Sequence, residues 1–272
     1  MLEDKVTERT HELKNAFFQI EEKNLEITDS ISYALRIQRA ILPPLSDFDK
    51  LMSDQFVLYK PKDIVAGDFY WFNEIEGKYL FAVGDCTGHG VPGAMVSVVC
   101  VGALNRSIRE FGLSKPSDIL DKTRELVLET FEKSEEDVKD GMDISLCSWD
   151  ERTGELEFSG ANNNLYLVKG SEISEIKADK QPIGKYEYAK PFVNHAMKLE
   201  KDTCVYIFSD GFADQFGGEK GKKMKYKAFR ELLVQNMALP MSVQLKELDE
   251  KFDNWKGEFE QVDDVCVIGV RV

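Results

Sequence analysis

The sequence predicts an α+β protein in which helices cover antiparallel sheets and a long helix comes first. Residues 1–42 contain no glycine or proline and are densely charged, as expected of an extended helix. The proline pair at 43 and 44 stops that helix, and short strand-like runs separated by turn signals follow. Strands and helices alternate too irregularly for a parallel sheet, and helices are too frequent for an all-β domain. We therefore divide the chain into residues 1–42 and residues 45–272.

The N-terminal segment carries a heptad pattern. One series with a spacing of seven residues is apolar throughout: Val6, Leu13, Ile20, Ile27, Ala34 and Ile41. A second series, offset by four residues, is mixed: Thr10, Phe17, Asn24, Ile31 and Gln38. The pattern predicts a coiled coil, and an asparagine in its seam favours a parallel homodimer through residues 1–42. The alternative is a single amphipathic helix packed on its own domain. We also expect the chain to be a fragment of a larger sensor protein.

The remaining elements are predicted from periodicity and turn residues. Strands are expected at residues 69–74, 79–83, 144–149, 156–159, 165–168, 203–209 and 265–272. Helices are expected at residues 92–111, 116–133, 226–237 and 241–254.

Composition excludes several classes of protein. The net charge of −14 argues against a nucleic-acid partner, which would require clustered Lys and Arg. The longest apolar run, residues 91–104, is interrupted by glycine and proline and is too short to span a membrane. The first residues lack the charged-then-apolar pattern of a signal peptide, so none is expected. The five cysteines are scattered without a CxxC pair, which indicates buried free thiols. We expect a cytoplasmic protein.

The most informative segment is residues 67–85. Glu76-Gly77 lies between aromatic and aliphatic runs, which predicts a β-hairpin with a two-residue loop. With that loop, Asp68 faces Asp85 across the hairpin, with their Cβ atoms about 4.5–5.5 Å apart. Like charges in this position destabilise a sheet unless a cation neutralises them. We expect a divalent cation between them, although an Asp beside Gly commonly caps a strand or turn.

Two further carboxylate sites lie at the ends of core strands. Asp210 follows the apolar run 203–209, and Asp263-Asp264 precede the run 265–272. Such carboxylates can converge on one sheet edge, where they complete an all-oxygen ligand set suited to Mn²⁺ or Mg²⁺. The chain has only three histidines, so a His-rich zinc site is not expected.

The loop after Asp85 is rich in glycine, which lets its backbone approach a ligand closely. We expect a structural rather than a catalytic role for His89 in this loop. Lys60 and Lys62 precede the hairpin, and each either holds a phosphate group or is simply solvated.

These segments, taken together, resemble a known family. Residues 60–71, 84–93, 208–211 and 263–264 are similar, in this order, to the successive motifs of SpoIIE/RsbU-type serine/threonine phosphatases of the metal-dependent PPM superfamily. The resemblance covers about residues 50–272. It implies an antiparallel β-sandwich flanked by helices, two Mn²⁺ or Mg²⁺ ions, and phosphorylated protein substrates, often of the STAS anti-sigma-factor antagonist type. The heptads resemble the helical linkers that join sensor domains to such phosphatases.

The resemblance also implies roles for individual residues. Asp85 bridges the two cations, and the Cys86 carbonyl helps to bind one of them. Asp68 contributes to the second cation through water, and Asp210 and Asp263 complete the first. These four aspartates form the expected catalytic set.

Two members of the expected metal set are less defined. Asp264 is expected behind the ligands rather than on a cation. Asp143, in a loop ahead of a core strand, is either an additional metal residue or a turn residue. The expected reaction is attack on a phosphate monoester by water activated between the cations, without a phosphoenzyme.

Three other functions would each account for part of the sequence. A catalytically silent module of the same shape would bind a phosphoprotein, but the presence of all four aspartates argues against loss of activity. A nucleotide cyclase output domain also places paired aspartates after a coiled coil, but the later Asp210 and Asp263-Asp264 fit it poorly. A purely structural coiled-coil protein leaves the glycine-rich loop unexplained.

Overall fold

The computed structural model describes residues 2–52, 54–132 and 138–272. Its helices are α1 (Leu2–Ile41), α2 (Leu45–Leu51), α3 (Gly90–Arg109), α4 (Pro116–Phe131), α5 (Gly211–Asp214), α6 (Lys225–Asn236) and α7 (Met241–Lys256). Its strands are β1 (Gln55–Lys60), β2 (Phe69–Ile75), β3 (Lys78–Cys86), β4 (Met142–Asp150), β5 (Glu155–Ala161), β6 (Leu165–Lys169), β7 (Glu172–Ile176), β8 (His195–Lys198), β9 (Cys204–Phe208), β10 (Phe216–Gly217), β11 (Lys222–Lys223) and β12 (Val265–Arg271).

Two five-stranded antiparallel sheets form a sandwich. One sheet has the strand order β1-β12-β9-β6-β7, and the other has the order β2-β3-β4-β5-β8. Helices α3 and α4 contact the second sheet, and α6 and α7 contact the first. The prediction of an antiparallel β-sandwich flanked by helices, with a long N-terminal helix, is confirmed.

Strand β9 shows why the sequences of the central strands are continuous apolar runs. Val205 and Ile207 point into the core between the sheets, whereas Tyr206 and Phe208 pack in the second core beneath α6 and α7. Because both faces of the strand are covered, every residue of β9 is buried.

The hairpin has the predicted register. Ile75 pairs with Lys78, and Phe69 pairs with Gly84, so Asp68 and Asp85 are the next residues on the two strands. The loop residues Glu76 and Gly77 have positive φ angles of 54° and 75°, as a two-residue type I′ turn requires.

The predicted strands and helices are all present. The short elements α2, α5, β10 and β11 were not predicted, and neither were the longer strands β1, β7 and β8. All three are edge strands of the two sheets. Their residues are mostly half-buried or exposed, so they lack the continuous apolar run by which the central strands were found.

Helix α1 changes character along its length. Residues 4–30 are exposed, whereas residues 31–42 include a half-buried and buried face that packs near α3. The exposed part carries the apolar heptad residues, with Leu13 72% exposed and Ile20 60% exposed. The coiled coil, the homodimer and the division of the chain at residues 42 and 45 stay predictions.

Helix α3 is the one described helix that is long and apolar enough to cross a membrane by length and composition. More than half of its most apolar window is buried inside the protein, as in a core helix. The five cysteines are free and buried.

Candidate metal centre

A cleft of about 320 Å³ opens at one end of the sandwich. Its lining includes four carboxylates and the loop at residues 86–89. We call it the acidic cleft, after the carboxylates of Asp85, Asp143, Asp210 and Asp263.

Strand order explains why these four side chains meet. Asp85 and Asp143 are direct partners across β3 and β4. Asp210 follows β9 and Asp263 precedes β12, and these two strands are antiparallel neighbours in the other sheet. The carboxyl end of one strand therefore lies beside the amino end of its partner in both sheets, and the two sheets bring these ends together.

The carboxylates of the acidic cleft repel one another. Burial, followed by the charges of Asp210, Asp263 and Asp143, raises the pKa of Asp85 to about 8. Burial, followed by the charge of Asp263, raises the pKa of Asp210 to about 6. Negative charge in this cleft is thus unfavourable without a neutralising cation.

Asp68 lies behind the acidic cleft and is almost fully buried. Burial and then the charge of Asp85 raise its pKa far above the usual value, although a hydrogen bond with Ser209 opposes the shift. Its Oδ2 atom is buried with no hydrogen-bond partner among the residues that the structure describes. A buried carboxylate oxygen of this kind needs a donor or a cation.

The donor set fits hard divalent cations. The cleft lining includes four carboxylates, whose oxygens are the donors that Mg²⁺ and Mn²⁺ prefer. Cys86 also lines the cleft, but its buried thiol has a raised pKa, so its backbone carbonyl is the suitable donor. Within residues 2–52, 54–132 and 138–272, no three His, Cys, Asp or Glu side chains are already close enough to enclose an ion.

Asp264 points away from the acidic cleft and holds the loop between β1 and β2. One carboxylate oxygen accepts a hydrogen bond from the Lys62 backbone N–H at 2.7 Å, and the other accepts one from the Gly67 N–H at 2.7 Å. A Cβ atom on Gly211 would lie 2.0 Å from the Asp264 carbonyl oxygen, so only glycine fits after Asp210. Through its hydrogen bonds with the loop between β1 and β2, Asp264 thus supports the position of Asp68.

Asp143 lines the acidic cleft opposite Asp85. Its Oδ1 atom accepts a hydrogen bond of 2.7 Å from the side-chain amide of Asn162. Asn162 has a φ angle of 59°, in the left-handed region that asparagine tolerates. Sequence reasoning missed this partner, because a single asparagine after a strand carries no distinctive signal.

The glycine-rich loop packs tightly on its neighbours. A Cβ atom on Gly67 would lie 2.3 Å from the Gly88 carbonyl oxygen, and one on Gly93 would lie 2.1 Å from the same atom. Side chains at these positions would push the loop away from β2 and α3.

His89 connects this loop to the segment before the hairpin. Its Nδ1 atom lies 2.8 Å from Asp63 Oδ2, and its Nε2 atom lies 3.0 Å from Lys62 Nζ. These contacts place Lys62 at the rim of the acidic cleft, which His89 itself lines.

The other lysines differ in position. Lys60 pairs with Asp249 and, at 3.0 Å, with Asp253 of α7. Lys139 lines the acidic cleft, but sequence reasoning missed it because it lies in a charged stretch without a motif.

The SpoIIE family model, described as Stage II sporulation protein E, matches residues 75–272. The chain belongs to the SpoIIE family. The predicted resemblance to SpoIIE/RsbU-type phosphatases of the PPM superfamily is thereby confirmed. A search of curated proteins by sequence gave no match.

Solved structures agree with this membership. The SiaA-PP2C domain of Pseudomonas aeruginosa is 32% identical with a TM-score of 0.84, and the match covers 92% of this chain and 98% of that one. The PP2C phosphatase domain of SpoIIE from Bacillus subtilis, with a fragment of its regulatory domain, is 19% identical with a TM-score of 0.63, covering 80% and 62%. The RsbU and RsbW domains of a Mycobacterium tuberculosis protein are 19% identical with a TM-score of 0.64, covering 80% and 59%. The last two structures share the fold of this chain. The SpoIIE-family chain is thus a PP2C-like, PPM-type phosphatase domain with a long N-terminal helix.

Proposed function

We propose that this SpoIIE-family protein is a metal-dependent phosphatase that hydrolyses phosphoserine or phosphothreonine in a partner protein. The observation that carries the proposal is the meeting of Asp85, Asp210 and Asp263 in one cleft, with Asp68 buried behind them. These residues come from three widely separated parts of the chain. Membership in a family of phosphatase domains supports the same conclusion.

Asp85, Asp210, Asp263, Asp68 and the Cys86 carbonyl would hold two divalent cations, Mn²⁺ or Mg²⁺. Such ions neutralise charge on phosphoryl oxygens and activate water as a nucleophile. The protein's own contribution is to gather the carboxylates at a fixed place and to keep them partly buried, where electrostatic interactions are strong. A phosphate monoester is itself an anion, so it would be repelled by these carboxylates unless cations were bound.

Positive side chains beside the acidic cleft would attract the phosphate group. Lys139 lines the cleft, and Lys62 is held at its rim by His89. Lys60 is turned toward α7 and is a weaker candidate for this role.

We propose a phosphorylated STAS-type domain as the partner. The resemblance to SpoIIE/RsbU-type phosphatases supports this choice. Similar structures also include RsbU domains and a structure described under the bacterial stressosome, which is 21% identical with a TM-score of 0.56. We further place the protein in the cytoplasm, where such phosphoproteins would be found.

We also propose that the exposed part of α1 pairs with a second copy in a parallel coiled coil. Its apolar residues repeat every seven positions, and Val6, Leu13, Ile20 and Ile27 are each more than half exposed. A continuous apolar stripe of this kind is typical of a contact surface.

The direct test is phosphate release from a phosphorylated STAS domain by the purified chain. We expect turnover with Mn²⁺ present and none after chelation with EDTA. The rival function, a silent phosphoprotein-binding module, predicts binding of the phosphorylated domain without phosphate release in either condition. A general phosphate ester such as p-nitrophenyl phosphate, assayed in parallel, separates a wrong substrate from an inactive site.

A further inference from the structure

Gln38 is the one buried polar side chain among residues 4–41, and it is only 5% exposed. Its amide nitrogen donates a hydrogen bond of 2.6 Å to the Ala66 carbonyl oxygen. Its amide oxygen accepts one of 3.3 Å from the Ala66 N–H. A single side chain thus satisfies both backbone groups of Ala66, as a neighbouring strand would.

Ala66 lies in the loop that carries Asp68. The residue between them, Gly67, donates its N–H to Asp264. The loop is therefore held from two sides, by Gln38 from the N-terminal helix and by Asp264 from the start of β12. Because Ala66 is fully buried, its backbone groups have no access to water and depend on these partners.

Gln38 also contacts helix α3. Its amide nitrogen lies 3.2 Å from Ser97 Oγ, and Ser97 donates to the Ala94 carbonyl at 2.8 Å in α3. Helix α3 begins directly after the loop at residues 86–89 that lines the cleft. One amide therefore joins α1, the Asp68 loop and α3.

We propose that Gln38 is a positioning residue for the metal centre, which it serves by fixing Ala66 and so the place of the Asp68 carboxylate. This inference rests on the proposed function, in which Asp68 helps to hold a cation. It also explains an exception in the heptad pattern, because the seam position at residue 38 calls for an apolar side chain. A buried amide is costly unless its hydrogen bonds are made, and here they are made to Ala66 and Ser97.

The test compares Gln38→Met with Gln19→Met in the full chain. Methionine keeps the length of the side chain and the helix propensity but removes the amide. Gln19 is an exposed glutamine of the same helix, outside both apolar heptad series, and serves as the matched control. The Kd for Mn²⁺ is obtained from the rise of Tm with Mn²⁺ concentration, which does not require enzymatic turnover.

We expect Gln38→Met to raise the Kd for Mn²⁺ about tenfold, a loss typical of residues that support metal ligands. Gln19→Met should leave it unchanged. At saturating Mn²⁺ the KM for the phosphorylated substrate should be the same in both variants. A lower Tm for Gln38→Met with an unchanged Kd for Mn²⁺ would show a purely structural role and overturn the inference.

Amide hydrogen exchange gives a second measurement on the unsubstituted protein. Ala66 lies outside any helix or strand, yet the inference requires its N–H to exchange slowly. Rapid exchange at Ala66 would overturn the inference even if Gln38→Met failed to fold. Failure of the proposed function gives a different result: Mn²⁺ binding and slow exchange at Ala66 without phosphate release from any substrate.

Discussion

The acidic cleft and the exposed part of α1 are both unfavourable in water, but for opposite reasons. In the cleft, the fold gathers carboxylates that repel one another, and the pKa of Asp85 rises to about 8. In residues 4–30 of α1, apolar side chains such as Leu13 and Ile20 stand in water, at 72% and 60% exposure. Bound cations would relieve the repulsion in the acidic cleft. An apolar partner would remove the exposed side chains of α1 from water.

The two regions also differ in how they arise. The cleft combines side chains from β3, β4 and the segments before α5 and β12, so it exists only when the sandwich is folded. The stripe of exposed apolar heptad residues on α1 is a local property of one helix. Remote changes in the fold can therefore disrupt the metal centre, whereas the apolar stripe on α1 should depend on its own residues alone.

The largest expected effect would come from Asp85→Asn, which removes the central charge of the acidic cleft. Phosphate release in Mn²⁺ should fall by more than about 100-fold, beyond the loss typical for residues that only support a ligand. The fold should persist, because a repelled buried charge has been removed. Circular dichroism and phosphate release would be measured together.

Asp29→Asn, on the exposed part of α1, is the control for that substitution, and its activity should match the unsubstituted protein. Substantial activity in Asp85→Asn would mean that the cleft is not the catalytic site.

A smaller effect is expected from pH on the free energy of unfolding of the metal-free protein. The pKa of Asp85 is raised from its ordinary value to about 8 on folding, so the folded state holds a proton that the unfolded state releases. The contribution of Asp85 to the free energy of unfolding should therefore be highest below about pH 4. It should fall as pH rises toward 8, by up to about 1.4 kcal/mol for each pH unit. Urea denaturation in EDTA at a series of pH values measures it.

Asp85→Asn should flatten that dependence, and saturating Mn²⁺ should reverse it, because cations bind the ionised carboxylates. A free energy of unfolding in EDTA that rises between pH 5 and 8 in the unsubstituted protein would contradict the expected repulsion.

The smallest effect should come from Ile20→Asp in the stripe on α1. A charge in the seam should weaken self-association at least about tenfold, since the apolar contact is lost. Sedimentation equilibrium would follow the change, with Gln19→Asp as a control outside the seam. Equal association of both variants would exclude the proposed coiled coil, and altered Mn²⁺ affinity in Ile20→Asp would break the distinction between the two regions.

Several features could be predicted from the sequence because their signals are local. The two-residue loop at Glu76-Gly77 sets the hairpin register, and so places Asp68 next to Asp85. Strands β9 and β12 were found because they are apolar on both faces. Strands β1, β7 and β8 were not found, because an edge strand has weaker burial and a shorter apolar pattern.

Other features depended on contacts between distant segments. The partners of Asp264 are the backbone N–H groups of a loop about two hundred residues earlier in the chain, and no local pattern predicts them. Gln38 fits the second heptad series by spacing, yet its amide is bound to Ala66 because the last turns of α1 pack on the phosphatase domain.

The class of fold, the hairpin and the presence of carboxylates at strand ends therefore follow from local sequence patterns. Long-range packing brings Asp143 together with Asp85, Asp210 and Asp263 in one cleft. It also places Asp264 and Gln38 against the loop that carries Asp68. The physical reason is that periodicity reports which face of an element is apolar. The partner that covers this face, and the charges that meet at its end, depend on packing across the whole chain.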